Sequence, residues 1–452
     1  MSNTGTALTD HERRSQVRKA AVASTIGTTI EWYDYFLYGA AAALVFPHVF
    51  FPEMTPYLAL LASFATYFVG FLARPVGAAI FGHWGDRIGR KAMLITTLVM
   101  MGVSTALIGV LPGQDSWGYA APVILILLRV FQGIAVGGEW GGSILLSMEW
   151  GNQKRRGLMA SWPQLGVAIG IILSTGLMAL FNGAMGTDAF IAWGWRIPFL
   201  LSLVLVAVGL YIRIRIEETP MFKKVLETKT ARKSPVLEVL RKYPKQVVLS
   251  ALLRMSEQMP FYIVTAFVLS YLTDDTHKYS YNFVLIGTMI AAAFELFLVP
   301  YFGHLSDTVG RKKIYLIGAG ITGVWGFLYF AMLDSGIAWV VFIALIVALI
   351  PHAMQYGPQA SIIAENFPTN LRYTGSGLGY QLSSIIAGGP AALIATWLLH
   401  TFGTGYAVAV YMLVAALITI AAAFGLKDYS KSDISSADTY EPRADRAERV
   451  AK

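Results

Sequence analysis

Charged side chains lie inside several long apolar stretches of this sequence. Glu31 and Asp34 are three residues apart in one stretch, Arg129 lies in a later one, and Arg254 and Glu257 are three residues apart in a third. Residues at this spacing share one face of a helix. If such helices cross a bilayer, each charged group costs about 2.5–3.5 kcal/mol or more to insert, so each needs a partner, a water-filled cavity or a function.

The arginines and amides among these polar groups suit a substrate that carries a carboxylate and hydroxyls. A guanidinium presents a planar set of N–H donors that matches a carboxylate, and glutamine and tyrosine side chains can donate to hydroxyls and accept from them. We therefore predict a substrate site formed by Arg129, Gln132, Arg254, Gln258, Tyr38, Gln164, Gln355, Tyr356 and Gln381.

Acids and a histidine in the same stretches suit proton coupling. An acid removed from water exchanges protons closer to neutral pH, and histidine does so even without burial. The candidates are Asp34, Glu31, Glu139, Glu257 and His352. A substrate carboxylate that competes with Glu257 for Arg254 would link substrate binding to protonation of that acid. The structural alternative is a permanent ion pair between Arg254 and Glu257, with His352 as an ordinary interior histidine.

A charged, glycine-containing motif occurs at 82–91 and again 221 residues later at 303–312. An acid followed seven residues later by an arginine also occurs twice, in 149–156 and 365–372. Glycines at fixed offsets indicate a particular turn, whereas basic residues alone are also explained by retention of positive charge in the cytoplasm. We predict a cytoplasmic gate formed by Gly82, Asp86, Arg87, Gly89, Arg90, Glu149, Arg156, Gly303, Asp307, Gly310, Arg311, Glu365 and Arg372.

The composition indicates a membrane protein. Of 452 residues, 56% are hydrophobic and only 14% charged, which is too little polar surface for a soluble protein of this size. Apolar stretches of about 20 residues or more, long enough to cross a bilayer core about 30 Å thick, recur along the chain. Twelve are predicted: 23–46, 57–81, 92–111, 120–148, 160–183, 196–216, 245–272, 282–303, 314–333, 337–365, 374–400 and 405–426. We expect an all-α polytopic membrane protein with twelve transmembrane helices in two six-helix halves.

Basic residues alternate between loops that carry them and loops that lack them. The loops 46–57, 111–122 and 182–195 contain no lysine or arginine. This alternation predicts that both termini are cytoplasmic and that the net charge of +8 reflects topology, not a nucleic-acid partner. The predicted divisions are a cytosolic N-terminal tail 1–20, an N-terminal six-helix half 21–216, a cytosolic linker 217–244, a C-terminal six-helix half 245–427 and a cytosolic C-terminal tail 428–452.

Several segments resemble signatures of the major facilitator superfamily and, within it, of the metabolite–proton symporter family. These segments are 31–34, 74–77, 82–91, 129–133, 137–142 and 193–199. The resemblance extends over nearly all of 20–427. It implies the twelve-helix fold, alternating access, uptake driven by a proton gradient and a place in a bacterial inner membrane.

The expected function is proton-coupled import of a small hydroxylated carboxylate, and shikimate fits this group of side chains. A dicarboxylate such as 2-oxoglutarate would need more uncompensated positive charge, and proline or glycine betaine would favour an aromatic cage around the amine. A membrane nutrient sensor is the non-transport alternative. No nucleophile motif or metal-ligand pattern indicates an enzyme. We expect no metal, no cofactor beyond the proton gradient, no nucleic-acid partner and a monomer in the lipid bilayer.

Overall fold

Helices are the only regular secondary structure in the residues that the computed structural model describes. Those residues are 10–88, 90–137, 144, 147–148, 155–215, 235–274, 276–368, 371–432 and 434. Twelve long helical regions follow one another within them, each overlapping one predicted stretch. We label them α1 Asp10–Leu44, α2 Pro56–Ile88, α3 Arg90–Val110, α4 Ala120–Gly137, α5 Arg156–Met185, α6 Arg196–Arg215, α7 244–272, α8 Tyr281–Val309, α9 Arg311–Leu333, α10 Ala338–Glu365, α11 372–402 and α12 Gly405–Gly425.

Most of these regions are apolar enough to cross a membrane. Eight of the described helices, α2, α4, α5 and α8 to α12, meet this condition over sufficient length, and α6 adds a ninth when joined to 187–194, from which it bends by 54°. The apolar part of α3 is limited to Ile95–Val110. The other two regions, α1 and α7, carry Asp34 and Glu257. Two of the predicted acids therefore lie in the helices that do not meet the apolar condition, whereas Arg129 and His352 lie in helices that do.

Helix α7 is interrupted twice. Its first piece, Pro244–Leu253, ends at Arg254, whose ψ of −1° departs from helical geometry. Its second piece, Met255–Tyr262, leads into a π-helical turn at Ile263–Phe267. Such turns are frequent at functional sites. A similar turn, Ser384–Gly388, interrupts α11 and packs against the second piece of α7, so the two irregular segments lie together.

Helical structure also occurs in the predicted N-terminal tail and in the predicted linker. α1 begins at Asp10, inside the predicted tail, because 10–26 contains neither proline nor glycine and is rich in residues that favour helix. Much of the predicted linker 217–244 lies outside the described residues, but Pro235–Lys242 within it forms a helix before α7.

The two six-helix groups pack against each other along several helix pairs. α2 contacts α11, α5 contacts α8 and α10, and α1 contacts α7. Within the N-terminal group, a Cβ added at Gly166 or Gly170 of α5 would meet the backbone of α1, and one at Gly137 of α4 would meet the backbone of α2. These glycines of α4 and α5 therefore allow close packing against α2 and α1.

Candidate functional site

Arg129 of α4 is fully buried and enclosed by three tyrosine rings. Its guanidinium carbon lies 4.1 Å from the ring centres of Tyr35 and Tyr38 and 5.0 Å from that of Tyr67. Nη1 donates to Gln132 at 3.0 Å, whereas the buried Nε and Nη2 have no hydrogen-bond partner among the described residues. The ring faces stabilise the cation. The two unpaired donors leave it able to bind an anion.

Two predicted residues hold this arginine in place. The hydroxyl of Tyr38 donates to Thr66 at 2.7 Å, and Nε2 of Gln132 donates to Thr105 at 2.7 Å. These polar atoms are engaged within the N-terminal half. Tyr38 and Gln132 therefore position Arg129 in this structure.

Asp34 of α1 is 2% exposed, and its two oxygens have no hydrogen-bond partner in the described part of the chain. The charge of Arg129 acts on it electrostatically. A buried carboxylate is costly unless a cation or a proton neutralises it. Glu31 lies one turn earlier on α1 and is also buried. Glu139, the remaining acid predicted in this half, lies outside the described residues.

A further buried arginine, Arg74 of α2, is absent from the predicted site. Its guanidinium carbon lies 4.3 Å from the ring centre of Tyr35, which thus contacts both Arg74 and Arg129. Nη1 lies 3.5 Å from the hydroxyl of Ser384 on α11, across the interface between the halves. The buried Nε and Nη2 are unpaired among the described residues. The insertion cost that selected Arg129 applies equally to an arginine in stretch 57–81, so the sequence held this signal.

Arg254 of α7 is engaged within its own half. Nε donates to Glu257 at 3.2 Å and Nη1 donates to the carbonyl of Tyr380 at 2.9 Å. The guanidinium carbon lies 3.5 Å from the centre of the Tyr380 ring. The structure thus contains the ion pair considered from the sequence. A substrate carboxylate would have to compete with Glu257 and the Tyr380 carbonyl for the Nε and Nη1 donors of Arg254.

His352 of α10 bridges two acids. Nε2 lies 3.2 Å from Glu257, and Nδ1 contacts Glu295 of α8. Each of these nitrogen–oxygen contacts needs one proton, but a neutral imidazole carries a single N–H. The group Glu257–His352–Glu295, which we call the acid–histidine triad, can therefore accommodate one proton more than a neutral histidine and two carboxylates. Without that proton, only one of the two contacts can be a hydrogen bond.

Glu295 is the second residue that the sequence prediction missed. It is 2% exposed and lies in the predicted stretch 282–303, so the insertion-cost argument also identifies it. Its pairing with His352 joins α8 to α10.

Two predicted glutamines are engaged within the C-terminal half. Gln355 donates to Thr322 at 2.9 Å and accepts from Ser256 at 2.5 Å. Gln258 donates to the hydroxyl of Ser384 at 3.0 Å. These contacts join α7 to α9, α10 and α11.

Two other glutamines cross between the halves. Gln164 donates to the carbonyl of Tyr356 at 2.8 Å, and Gln381 donates to the carbonyl of Gly137 at 3.4 Å. The side-chain oxygens of both glutamines are buried and lack a partner among the described residues. They remain able to accept a hydrogen bond from a hydroxyl.

Acidic and basic side chains join the halves at the end where α5, α9 and α11 begin, which we call the gate end. The gate cluster is Arg156, Asp307, Arg311 and Glu365. Glu365 accepts from Arg156 at 2.7 Å and twice from Arg311 at 2.8 Å. Asp307 accepts from Arg311 at 2.8 Å and from the backbone N–H groups of Gly157 and Leu158 at 2.8 and 3.0 Å. Since α5 belongs to the N-terminal half and both acids to the C-terminal half, these contacts close the gate end.

The remaining gate predictions divide by what the structure describes. Arg372 is buried and donates to the carbonyls of Phe367 at 3.2 Å and Ile434 at 2.9 Å. Four other predicted gate residues lie in α2 and α3, and the structure describes only their helical backbone: Gly82, Asp86, Arg87 and Arg90. Gly89 and Glu149 lie outside the described residues altogether.

The two described gate glycines have different roles. Gly310 links α8 to α9 with a φ of +110°, a conformation that favours glycine. Gly303 lies inside α8 and not in the predicted turn. A Cβ there would lie 2.9 Å from the Ser161 side chain and 3.0 Å from the carbonyl oxygen of Gly157. Gly303 therefore allows α8 to approach α5 beside the gate cluster.

The chain after α12 lies against the gate cluster. Arg156 donates to the carbonyl of Tyr429 at 2.9 Å, and the backbone N–H of Lys312 donates to Asp428 at 3.0 Å. Burial opposes ionisation of Asp428, but backbone donors including Lys312 hold its pKa below the usual range. Ile434 is 4% exposed. The start of the predicted tail 428–452 is therefore packed onto the protein.

The halves also meet at the opposite end. Asn182 of α5 donates to Asn282 of α8 at 3.1 Å. The ring of Tyr57 stacks on His400 with 3.7 Å between centres. Contacts between the halves at both ends enclose the central arginines and acids.

Comparison with known proteins identifies the family. The model of the Major Facilitator Superfamily matches residues 25–391 and 259–441. This chain belongs to the major facilitator superfamily. A shikimate transporter of Escherichia coli (strain K12) is 41% identical over 422 residues, covering 92% of this chain and 96% of the relative. A proline/betaine transporter of the same strain is 31% identical over 431 residues, covering 93% and 86%.

Solved structures support the same fold. A crystal structure of a D-xylose-proton symporter has a TM-score of 0.70 and 17% identity, covering 94% of this chain and 99% of that chain. The predicted all-α fold of twelve membrane helices in two halves is confirmed. The chain is a multi-pass membrane transporter and not an enzyme, as predicted.

Proposed function

We propose that this transporter imports a small hydroxylated carboxylate, shikimate first among candidates, together with protons across a bacterial inner membrane. The gate end faces the cytoplasm in this proposal. The observation that carries it is a set of buried N–H donors on Arg74 and Arg129 that have no partner among the described residues. The buried carboxyl of Asp34 lies in the field of Arg129. Unpaired buried donors are costly, and an anionic substrate would satisfy them. The shikimate transporter at 41% identity supports the choice of substrate.

The tyrosine cage around Arg129 favours an anion over a quaternary amine. Glycine betaine is a cation and an anion in one molecule, and aromatic rings commonly bind its cationic end. Here Tyr35, Tyr38 and Tyr67 already surround the guanidinium of Arg129. The similarity to the proline/betaine transporter therefore supports the fold of this chain but is weaker support for its substrate.

A dicarboxylate is also less well matched. It would need two cationic groups free of acidic partners, and Arg254 is paired with Glu257 at 3.2 Å. The remaining central arginines are Arg129, which interacts electrostatically with Asp34, and Arg74, which interacts with Glu31. One carboxylate is the better match to this charge.

Two groups are proposed to carry protons. Asp34 is buried and lies in the field of Arg129, so an anion bound near that arginine would favour a proton on Asp34. The acid–histidine triad holds one removable proton in the other half. Proton movement at either group would change contacts that fix neighbouring helices.

The test is uptake of radiolabelled shikimate into proteoliposomes that contain the purified protein, with an imposed inward proton gradient. Unlabelled 2-oxoglutarate, proline and glycine betaine serve as competitors. We expect accumulation that only excess shikimate suppresses. Uptake of one of the competitors instead of shikimate would overturn the substrate, and no uptake of any compound would favour the nutrient-sensor alternative.

A further inference from the structure

The three central arginines differ in what they leave available. Arg254 is committed to Glu257 and to the carbonyl of Tyr380. Arg129 has two donors with no partner in the described part of the chain, but its described contacts all lie within the N-terminal half. Arg74 likewise has two donors without a described partner, and it also contacts Ser384 in the other half. A substrate in an alternating-access transporter must contact both halves, because its binding has to influence how they move.

We infer that Arg74 binds the carboxylate of the substrate, an assignment that rests on the proposed function. Its free atoms, Nε and Nη2, form one edge of the guanidinium and can donate in parallel to both oxygens of a carboxylate. The rings of Tyr35 and Phe71 lie 4.3 and 4.5 Å from its guanidinium carbon and restrict its orientation. Glu31 is the nearby acid whose charge acts on Arg74.

Tyrosine hydroxyls near Arg74 supply the rest of the site. The hydroxyls of Tyr35, Tyr67 and Tyr262 are buried and have no hydrogen-bond partner among the described residues. The Tyr67 ring lies 5.3 Å from that of Tyr35 and 6.0 Å from that of Tyr262. Tyr262 belongs to α7, so both halves contribute. The ligand class that satisfies this set is a carboxylate bearing several hydroxyls.

The contact between Arg74 and the hydroxyl of Ser384 connects Arg74 to a chain of hydrogen bonds in the C-terminal half. Ser384 donates to the carbonyl of Tyr380 at 3.2 Å, and that carbonyl also accepts from Arg254 at 2.9 Å. Arg254 in turn donates to Glu257 of the acid–histidine triad. A carboxylate that draws Arg74 away from Ser384 therefore disturbs hydrogen bonds that lead to the triad.

The experiment measures binding of shikimate and of its uncharged methyl ester to the purified full-length protein by isothermal titration calorimetry. The wild type should prefer the acid. In Arg74→Gln the affinity for the acid should fall by about tenfold to a hundredfold, as expected for loss of a hydrogen bond to a charged group, while the affinity for the ester stays the same. Arg74→Lys keeps the charge but not the paired edge, so it should retain part of the preference.

Arg196→Gln is the matched control. Arg196 lies over the ring of Trp195 at the end of the bundle opposite the gate end. Its substitution should leave the preference for the acid over the ester intact. If Arg74→Gln does not fold, as judged by thermal unfolding, Arg74→Lys decides the question. An unchanged preference in the variant measured overturns the role of Arg74 and leaves the proposed function standing. Absence of binding of either compound by the wild type, together with absence of uptake, overturns the proposed function itself.

Discussion

Arg156 and Glu365 form an ion pair of 2.7 Å between the two halves, with their side chains 5% and 1% exposed. Removing one partner of a buried pair typically costs about 3–5 kcal/mol, because the other charge stays buried without compensation. Arg311 donates twice to the same carboxylate, so Glu365 holds two cations at once. Closure of the gate end therefore depends strongly on this one acid.

Replacing Glu365 with glutamine is expected to open the gate end, because the amide keeps the shape of the side chain but loses its charge. The chain contains no cysteine, so a single Ser161→Cys on the buried face of α5 reports opening by its reaction with a thiol reagent. We expect faster labelling in the Glu365→Gln background than in the wild-type background.

The matched control breaks an exposed ion pair. Lys242 pairs with Glu238 at 2.9 Å on the short helix before α7, and exposed pairs contribute little. Lys242→Gln should leave the labelling rate unchanged. Equal rates for Glu365→Gln and the wild type would show that other contacts close the gate end.

Removing the segment that lies on the gate cluster should also favour opening. A chain ending at Lys427 loses the carbonyl of Tyr429 that Arg156 contacts and the buried Ile434. A chain ending at Ile434 keeps both and is the control. We expect faster labelling of Ser161→Cys in the shorter chain only, and equal rates would mean that the segment does not hold the gate closed.

The difference in labelling between the two truncated chains should not vary over moderate pH. The pKa of Asp428 is lower in the folded protein than in the unfolded chain, so its ionised form stabilises the packed segment fully above the ordinary carboxyl pKa. This stabilisation is lost only as the pH falls through the lowered pKa. The difference between the two truncated chains should therefore be the same at about pH 6 and pH 8. Labelling rates corrected with a free thiol standard provide the measurement.

Glu295→Gln and His352→Gln should each uncouple transport from the proton gradient. Either change removes a group that shares the extra proton of the acid–histidine triad. Gradient-driven accumulation should be lost, while exchange of labelled for unlabelled substrate should persist, because exchange moves no net proton. His277→Gln is the control, since His277 contacts Asp274 in a loop at the opposite end. Full accumulation in Glu295→Gln would exclude the triad from coupling.

The sequence predicted the twelve helices and much of the central charge, because apolar length and buried charge are local properties. The insertion cost that indicates Arg129 applies also to Arg74 and Glu295, so the sequence carries a signal for both. The contact of Arg74 with Ser384, 310 residues away, could not be predicted in this way. It depends on how α2 meets α11, which no local pattern encodes. Gly303 shows the same limit, since its role inside α8 depends on Ser161 of another helix.

Two glycines of the C-terminal half provide a contrasting pair. A Cβ at Gly303 would lie 2.9 Å from Ser161, where α5 and α8 meet beside the gate cluster, whereas a Cβ at Gly320 of α9 would have no atom within 4 Å. Overpacking costs about 1–3 kcal/mol, so Gly303→Ala should lower the Tm of the purified protein. Gly320→Ala should leave it unchanged or raise it, because alanine favours helix by about 1 kcal/mol over glycine. An equal Tm for both variants would mean that the close approach of α5 and α8 at Gly303 contributes little, and closure of the gate end would then depend on the polar contacts of the gate cluster.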